Sequence, residues 1–236
     1  MYDIKIKWFG HAAFKIDMFG KVFLIDPWIL NPLSPEKELS QVCGDYVIVT
    51  HDHGDHVGNT IEIMKNCPKS KAVAIYELAS YIAEELGNEQ RAIGGNIGGP
   101  IDLGGGFEVV LTPALHSSSK GSPVGVIISR LGNTVYHAGD TGLTYEMKLI
   151  SELYKPLVAL LPIGGHFTMG PREAAYATSL IKPKYVIPMH YGTFPVLRGT
   201  PEEFRRYLTE LGVTSELVVL KPGEETTIKA EIPHVR

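Results

Sequence analysis

The sequence predicts a layered α/β fold in a single domain spanning residues 1–236. Short apolar runs alternate along the chain with segments whose apolar residues recur at helical spacing, the pattern of strands joined by helices. No linker, low-complexity tract or sequence repeat interrupts this alternation, and a chain of this length can bury one large core. Six of the apolar runs are closely followed by a histidine or an aspartate, which places candidate chemistry at the strand ends.

The first half of the chain supplies five predicted strands and two predicted helices. Apolar residues alternate with lysines between Ile4 and Trp8, as in a strand with one wet face. The unbroken run at 46–49 is typical of a strand covered on both faces. Helical spacing joins Val57 to Met64, and it joins Leu78 to Leu86 ahead of a stop at Gly87. The strands are expected at 4–8, 14–16, 22–25, 46–49 and 72–75.

The second half continues the alternation after a glycine-rich segment. Residues 94–106 match neither a dinucleotide-binding nor a phosphate-binding glycine motif, so we expect a loop with tight turns there. One predicted helix ends at Pro156, a second runs from Pro171 to Ile181, and a third begins at Thr200-Pro201 and is closed by Gly212. The strands are expected at 107–112, 124–129, 134–136, 158–161 and 185–188, with a hairpin turn at 131–133.

Composition excludes several classes of protein. The net charge of −4 and the lack of a basic block argue against nucleic acid and favour a small-molecule substrate. No apolar run is long enough to span a membrane and no leader is recognisable at the N-terminus, so a cytoplasmic location is expected. Cys43 and Cys67 are too few for a disulfide framework, and we expect two buried or neutral thiols. His234, in the C-terminal tail, is expected to be solvated.

The motif HDHGDH, directly after the predicted strand 46–49, is the strongest chemical signal in the sequence. Residues two apart in an extended segment point to the same side, so His51 and His53 can offer two imidazoles to one cation while Asp52 points elsewhere. Asp55 and His56 follow the turn that Gly54 permits. Imidazoles with carboxylates and without thiolates favour zinc, and iron, manganese or nickel also fit.

The strand ends extend this constellation along the chain. In layered α/β folds the loops beyond the strand ends collect at one rim, so residues distant in sequence can converge there. A carboxylate at the end of an apolar strand is costly unless it is hydrogen-bonded, which makes Asp26 either a brace for the metal loop or a simple turn residue. The residues at the strand ends are Asp26, His51, His116, Asp140, His166 and His190.

With these residues in place, the sequence resembles the metallo-beta-lactamase superfamily over nearly its whole length. Five motifs occur in order: Asp26 in FLIDPW, the HDHGDH loop, His116, Asp140 in HAGDTG and His190 in PMHYGTF. The segments GHAAF, YHAGDTGL, LPIGGHFTMGP and HYGTF resemble a small family of uncharacterised metal-dependent hydrolases, similar to the branch that contains ascorbate-6-phosphate lactonase. The lactonase itself is a longer chain, so its substrate does not carry over.

The resemblance implies a four-layer αββα sandwich with the site along one edge of the two sheets, and it implies roles for individual residues. Two divalent ions are expected, with Asp140 bridging them. Asp26, His137 and His11 would support the ligands from behind. One ion would be held by His51, His53 and His116, and the other by Asp55, His56 and His190.

These expectations together describe a metal-dependent hydrolase. A water between two ions would lose a proton and attack an ester, lactone or phosphodiester bond of a small anionic substrate. Asp55 would also orient that water, and His166 would contact the substrate or its leaving group. Arg198 and Arg172 are candidates for anchoring a phosphate.

Two other interpretations of the function stay open on the sequence. One is a redox enzyme, since a diiron oxidoreductase branch of the superfamily exists, although that branch typically has Glu where this chain has His53. The other is a non-catalytic metal-binding module, which a missing ligand would indicate. All seven predicted ligands are present. Relatives in the lactonase-like branch form homo-oligomers, so self-association is also an expectation.

Overall fold

Strand pairing in the computed structural model, which describes residues 3–231, gives two mixed seven-stranded sheets. The chain divides into two compact units with one sheet each. Unit 1 contains residues 3–96, 117–123 and 220–230, and unit 2 contains residues 97–116, 124–219 and 231. The expectation of a single domain over 1–236 stays a prediction, and His234 lies outside the described residues.

Both units combine strands with helices that cover them. The strands of unit 1 are β1 (Asp3–Gly10), β2 (Ala13–Met18), β3 (Lys21–Ile25), β4 (Tyr46–Ile48), β5 (Lys71–Ile75), β6 (Ala92–Gly95) and β14 (Glu225–Lys229). Its helices are α1 (Gly54–Val57), α2 (Thr60–Asn66) and α3 (Tyr76–Leu86), and a 3-10 turn covers Glu89–Arg91. The strands of unit 2 are β7 (Pro100–Gly104), β8 (Phe107–Pro113), β9 (Val124–Arg130), β10 (Asn133–His137), β11 (Val158–Pro162), β12 (Tyr185–Met189) and β13 (Glu216–Leu217). Its helices are α4 (Glu146–Tyr154), α5 (Pro171–Ile181) and α6 (Pro201–Glu210).

The two sheets share one pairing plan. In unit 1 the order is β14-β1-β2-β3-β4-β5-β6, antiparallel as far as β3 and parallel from there. In unit 2 the order, read from the opposite end, is β7-β8-β9-β10-β11-β12-β13, antiparallel as far as β10 and parallel from there. Because parallel strands end at the same edge of a sheet, each unit gathers several strand ends at one edge.

Each sheet has its own buried core. In unit 1, the rings of Trp8, Phe14 and Phe23 are almost fully buried, and α3 contributes Leu78 and Ile82. In unit 2, the largest buried side chains are Tyr136 and Phe204, packed with apolar residues of β11 and α5. Burying one such side chain stabilises the fold by roughly 1.5–3 kcal/mol, so these clusters hold each sheet against its helices.

Most predicted elements are confirmed, and the ends of the helices have local causes. The helix predicted over 171–181 has those bounds in the structure, with Pro171 in its first turn. Thr200 caps α6 by accepting a hydrogen bond from Glu203 N at 3.2 Å. The helical stripe at 57–64 is broken into α1 and α2 at Gly58, which has a φ of +45°. A Cβ atom there would collide with the backbone of Trp28, so this break requires glycine.

The glycine-rich segment was wrongly expected to be only loop and turn. Its first part lies in β6, which pairs parallel to β5, and residues 100–104 form β7, which pairs antiparallel to β8. Both strands lie at the edges of their sheets, where a low intrinsic strand propensity is overridden by pairing with a well-formed neighbour. Ile101 and Leu103 alternate with more exposed residues in β7. The short strands β13 and β14 were also missed, because both are too polar to stand out as apolar runs.

The expectation of two thiols was also wrong, because Cys43 and Cys67 form a disulfide. Their Cα atoms lie 5.9 Å apart, within the range for a disulfide. Cys43 lies just before β4, and Cys67 directly follows α2, so the closed loop contains the whole HDHGDH motif. Nothing in the sequence pairs two isolated cysteines 24 residues apart; only the fold brings them together.

No helix within residues 3–231 combines the length and the apolar character that crossing a membrane requires.

Candidate metal centre

In unit 1, the candidate ligands lie beyond the ends of two parallel strands. Asp26 directly follows β3, and the HDHGDH loop begins shortly after β4. The two strands are neighbours, so their carboxyl ends bring the Asp26 carboxylate against the loop. Asp26 and His51 are fully buried, as is His56 in α1.

Asp26 receives three contacts from the loop. Thr50 donates to it twice, from its backbone N to Oδ1 at 2.8 Å and from its hydroxyl to Oδ2 at 2.7 Å. His56 Nδ1 lies 2.7 Å from the same Oδ2. These partners compensate the desolvation of a fully buried carboxylate. The carboxylate therefore braces the loop and is not a simple turn residue.

The same hydrogen bonds determine which nitrogen of each histidine carries its proton. A carboxylate only accepts, so Nδ1 of His56 donates to Asp26 and its Nε2 carries a lone pair. The Thr50 hydroxyl spends its proton on Asp26, so it accepts from His51 Nδ1, which lies 3.0 Å away. His51 Nε2 is then also a lone-pair donor. One buried aspartate thus leaves two histidines with the lone pair on Nε2, the form in which an imidazole can bind a metal ion.

Two groups of ligand atoms form within unit 1. His51 Nε2 lies 2.9 Å from His53 Nδ1. Asp55 Oδ2 lies 2.9 Å from His11 Nε2 and 3.8 Å from His56 Nε2. The ligand atoms of His11, Asp55 and His56 all lie within 4.8 Å of one another. The supporting role predicted for His11 stays a prediction.

Asp52, which is predicted to point away from its histidine neighbours, forms hydrogen bonds to a distant part of the chain. It accepts hydrogen bonds from the Ser118 hydroxyl and the Ser119 backbone N, both at 2.9 Å, and a further bond from the Ser119 hydroxyl. Burial raises the pKa of Asp52, but the bonds from Ser119 and Ser118 outweigh it and lower the pKa to about 2. These hydrogen bonds tie the HDHGDH loop to the serine run 117–119, which follows His116 in the chain.

In unit 2, one carboxylate lies between two imidazoles. Asp140 Oδ2 is 3.0 Å from His190 Nε2 and 3.5 Å from His116 Nε2. These residues follow β10, β12 and β8, three strands that run in the same direction and end at the same edge of the sheet. Asp140 and His190 are almost fully buried, and His116 is about nine-tenths buried.

The turns that carry these ligands have their own supports. Gly139 N donates to His137 Nδ1 at 3.1 Å, so His137 is protonated on Nε2 and shapes the turn before Asp140. The Thr141 hydroxyl accepts from Leu115 N at 3.0 Å, and Thr141 O accepts from Met169 N at 2.9 Å. The segments after β8, β10 and β11 are thus fastened to one another.

Within residues 3–231, His166 is not in any of the groups of ligand atoms that lie within 4.8 Å of one another. It follows β11 in an exposed loop, and its ring packs edge-on against Phe167 with centroids 4.5 Å apart. No hydrogen bond or ion pair joins its side chain to any residue of 3–231. The structure therefore gives it neither of the environments that hold the ligand histidines.

Left-handed backbone marks the candidate site. Within residues 3–231, eight non-glycine residues have positive φ, and four of them are candidate site residues. Such a conformation costs about 1–3 kcal/mol for a side-chain-bearing residue, and it persists only where the surroundings enforce it. The four are His11 (+54°), Asp26 (+45°), His166 (+62°) and His190 (+56°).

Sequence reasoning named the ligating residue types and missed most of their supports. Thr50, Ser118, Ser119 and Thr141 hold the candidate ligands or their loops, but an isolated Ser or Thr carries no spacing signal. The position of Thr50 between an apolar strand and a histidine is the one hint the sequence contains.

The family comparisons agree with this geometry. The family model described as a beta-lactamase superfamily domain matches residues 21–191. A UPF0173 metal-dependent hydrolase of Hyperthermus butylicus is 52% identical over 93% of this chain and 97% of its own length. Another from Caldivirga maquilingensis is 55% identical over 93% of this chain and 96% of its own.

Solved structures give the fold. A novel metallo hydrolase from the hyperthermophilic archaeon Ignicoccus hospitalis superposes with a TM-score of 0.91 at 44% identity, covering 97% of this chain and 100% of its own. A metallo-beta-lactamase fold protein from Bacillus subtilis superposes with a TM-score of 0.74 at 14% identity, covering 95% of this chain and 99% of its own, and shows the fold alone. The predicted α/β metallo-beta-lactamase fold is therefore confirmed. The finer resemblance to the lactonase branch stays a prediction. By the family match and by relatives more than half identical over most of its length, this chain belongs to the UPF0173 metal-dependent hydrolases of the beta-lactamase superfamily.

Proposed function

We propose that the protein hydrolyses an ester, lactone or phosphodiester bond in a small anionic substrate, using two divalent metal ions. The observation that carries this proposal is the hydrogen-bond chain centred on Asp26, which leaves His51 and His56 with Nε2 lone pairs at a group of carboxylate and imidazole ligands. A purely structural cluster has no need for that arrangement of protons. The names of the UPF0173 relatives support metal-dependent hydrolysis as the reaction class.

The residues fit divalent metal ions of the zinc type. The ligand atoms are imidazole nitrogens and carboxylate oxygens, and both cysteines are held in the disulfide away from them. Such a donor set suits zinc, manganese or ferrous iron and does not suit a soft-metal cluster. The division of the seven candidate ligands between two ions stays the prediction made from the family resemblance.

Bound divalent ions would make a water molecule acidic and polarise the oxygen of the scissile bond. The chain's own residues prepare that chemistry. His11 donates from Nε2 to Asp55 Oδ2, which orients the carboxylate that we assign to holding the attacking water. Asp26 and Thr50 keep the protons of His56 and His51 on Nδ1. His166, in its exposed loop, is assigned to the leaving group.

The experiment that tests this function is a hydrolysis panel with metal analysis. Purified protein is stripped with EDTA, reloaded with zinc or manganese, and assayed on aryl phosphodiesters, sugar lactones and aryl esters. Asp55→Asn should abolish turnover with little effect on unfolding, since Asp55 is partly exposed. Glu62→Gln, an exposed carboxylate in the neighbouring helix, is the matched control and should retain wild-type rates.

Metal content separates hydrolysis from the redox alternative. Two zinc or manganese ions per chain with turnover of any bond in the panel supports the proposal. A chain that purifies with iron, shows a redox-active spectrum and hydrolyses none of the substrates refutes it. Equal rates in wild-type and Asp55→Asn protein would remove Asp55 from the mechanism.

A further inference from the structure

Unit 2 contains a cavity of about 610 Å³ that the metal ligands do not occupy. The loop after β11 forms one wall, with Gly164 and His166, and the segment before α6 forms another, with Arg198 and Gly199. Glu203, in the first turn of α6, completes the polar lining. The cavity is the size of a small-molecule site.

Close backbone packing fixes the walls of this cavity. Gly199 N donates to Gly164 O at 3.1 Å. A Cβ atom on Gly199 would overlap the carbonyl oxygen of Ile163, and one on Gly164 would overlap that of His190. The two glycines therefore allow the walls to meet backbone against backbone. They also place the cavity directly beside the backbone of the candidate ligand His190.

The side chains of His166 and Arg198, which line the cavity, are both exposed. His166 is held in left-handed backbone by hydrogen bonds from Gly165 N to Met169 O and from Phe167 N to Gly165 O. Its ring contacts Phe167 and, like Arg198, it makes no hydrogen bond or ion pair within residues 3–231. Arg198 and Glu203 line the same cavity but do not form an ion pair with each other.

We propose that this cavity binds an oxyanion group of the substrate, a phosphate or a carboxylate, with Arg198 as the anchor and His166 as a second donor. A guanidinium binds such groups through two parallel hydrogen bonds, and an imidazole N–H adds a third. The Glu203 carboxylate carries the opposite charge to Arg198 and can accept a hydrogen bond from a hydroxyl group of the substrate. This inference rests on the proposed function, because it names the substrate class of the same site as hydroxylated and anionic.

The first test measures oxyanion binding and does not depend on turnover. Metal-loaded full-length protein is titrated with inorganic phosphate and, separately, with acetate in a calorimeter. Arg198→Ala should weaken binding of at least one of the two by about tenfold or more, as expected for a lost charge-assisted pair. Arg205→Ala removes the same charge from an exposed position of α6 that does not line the cavity, and it should stay within about twofold of wild type. His166→Ala should weaken the same anion by a smaller factor.

The second test asks whether the oxyanion belongs to the substrate. The aryl ester 4-nitrophenyl acetate is compared with its succinate counterpart, which has the same scissile bond and an added carboxylate. Arg198→Ala should raise KM about tenfold for the succinate ester and leave that for the acetate ester unchanged. Equal anion affinities in Arg198→Ala and Arg205→Ala protein, or no anion binding by the wild type, would overturn the subsite. Arg198-dependent anion binding without hydrolysis of any substrate would leave the subsite standing and overturn the proposed function.

Discussion

The disulfide between Cys43 and Cys67 should account for a large part of the stability of unit 1. Joining residues separated by 24 positions removes chain entropy from the unfolded state. The loop-closure relation for a loop of that length corresponds to about 3.5 kcal/mol at room temperature. For a chain of this size, a loss of that magnitude lowers Tm by about 7–14 °C. Total stabilities of natural domains are about 5–15 kcal/mol, so the effect is readily measured.

Urea unfolding of metal-free protein, followed by circular dichroism, checks this magnitude. The oxidised wild type is compared with the wild type reduced by a phosphine and with a Cys43→Ala/Cys67→Ala double variant. The reduced protein isolates the cross-link, because both side chains remain, and the double variant adds the small loss of their packing. A difference of less than about 1 kcal/mol between oxidised and reduced protein would refute the reasoning, since the unfolded chain would then be unaffected by the cross-link.

Three further predictions concern the site and its frame. Thr50→Val keeps the shape of the side chain and removes the hydroxyl between Asp26 and His51, so metal affinity measured by competition with a chelator should fall about 10–100-fold; an unchanged affinity would show that the tautomer of His51 is set elsewhere. Gly199→Ala should destabilise the fold by several kcal/mol because its Cβ would overlap a carbonyl oxygen, whereas Gly54→Ala meets open space and should cost about 1 kcal/mol or less in urea unfolding; equal losses would contradict the packing argument. Stripping metal should lower Tm reversibly, with about 2.7 kcal/mol regained at a hundredfold excess over Kd, and a Tm independent of metal would argue against a site confined to the folded state.

The elements that the sequence predicts correctly are those whose signals are local. The apolar run at Tyr46–Ile48 and the capping residues around Thr200 depend on neighbours a few positions away, and both were recognised. The strands β6 and β7 depend instead on partners that pair with them from other parts of the chain, so their glycine content misled the prediction. The disulfide was missed for the same reason, since its two cysteines meet only once β4 and α2 are in place.

The candidate site divides along a similar line. His51, His53, Asp55 and His56 are predictable because four ligand-type residues share one short loop. The supports of these ligands are ordinary residues whose meaning comes from a hydrogen bond, as with Thr50. The sequence allows two roles for Asp26, a brace for the loop or a simple turn residue. Only its three contacts in the structure distinguish between them.

The position of β14 has a consequence for the order of events during synthesis. β14 pairs with β1, which places residues 225–229 beside the beginning of the chain, and Gly223 N donates to Trp8 O at 2.7 Å. Within residues 3–231, the strands of unit 2 have all been made by residue 217, while the sheet of unit 1 lacks its outer strand until residues 225–229 have been synthesised. Until then β1 is an edge with unpaired backbone groups, the kind of surface that recruits other strands. A nascent chain stalled before residue 225 should therefore aggregate more readily than a chain that includes β14.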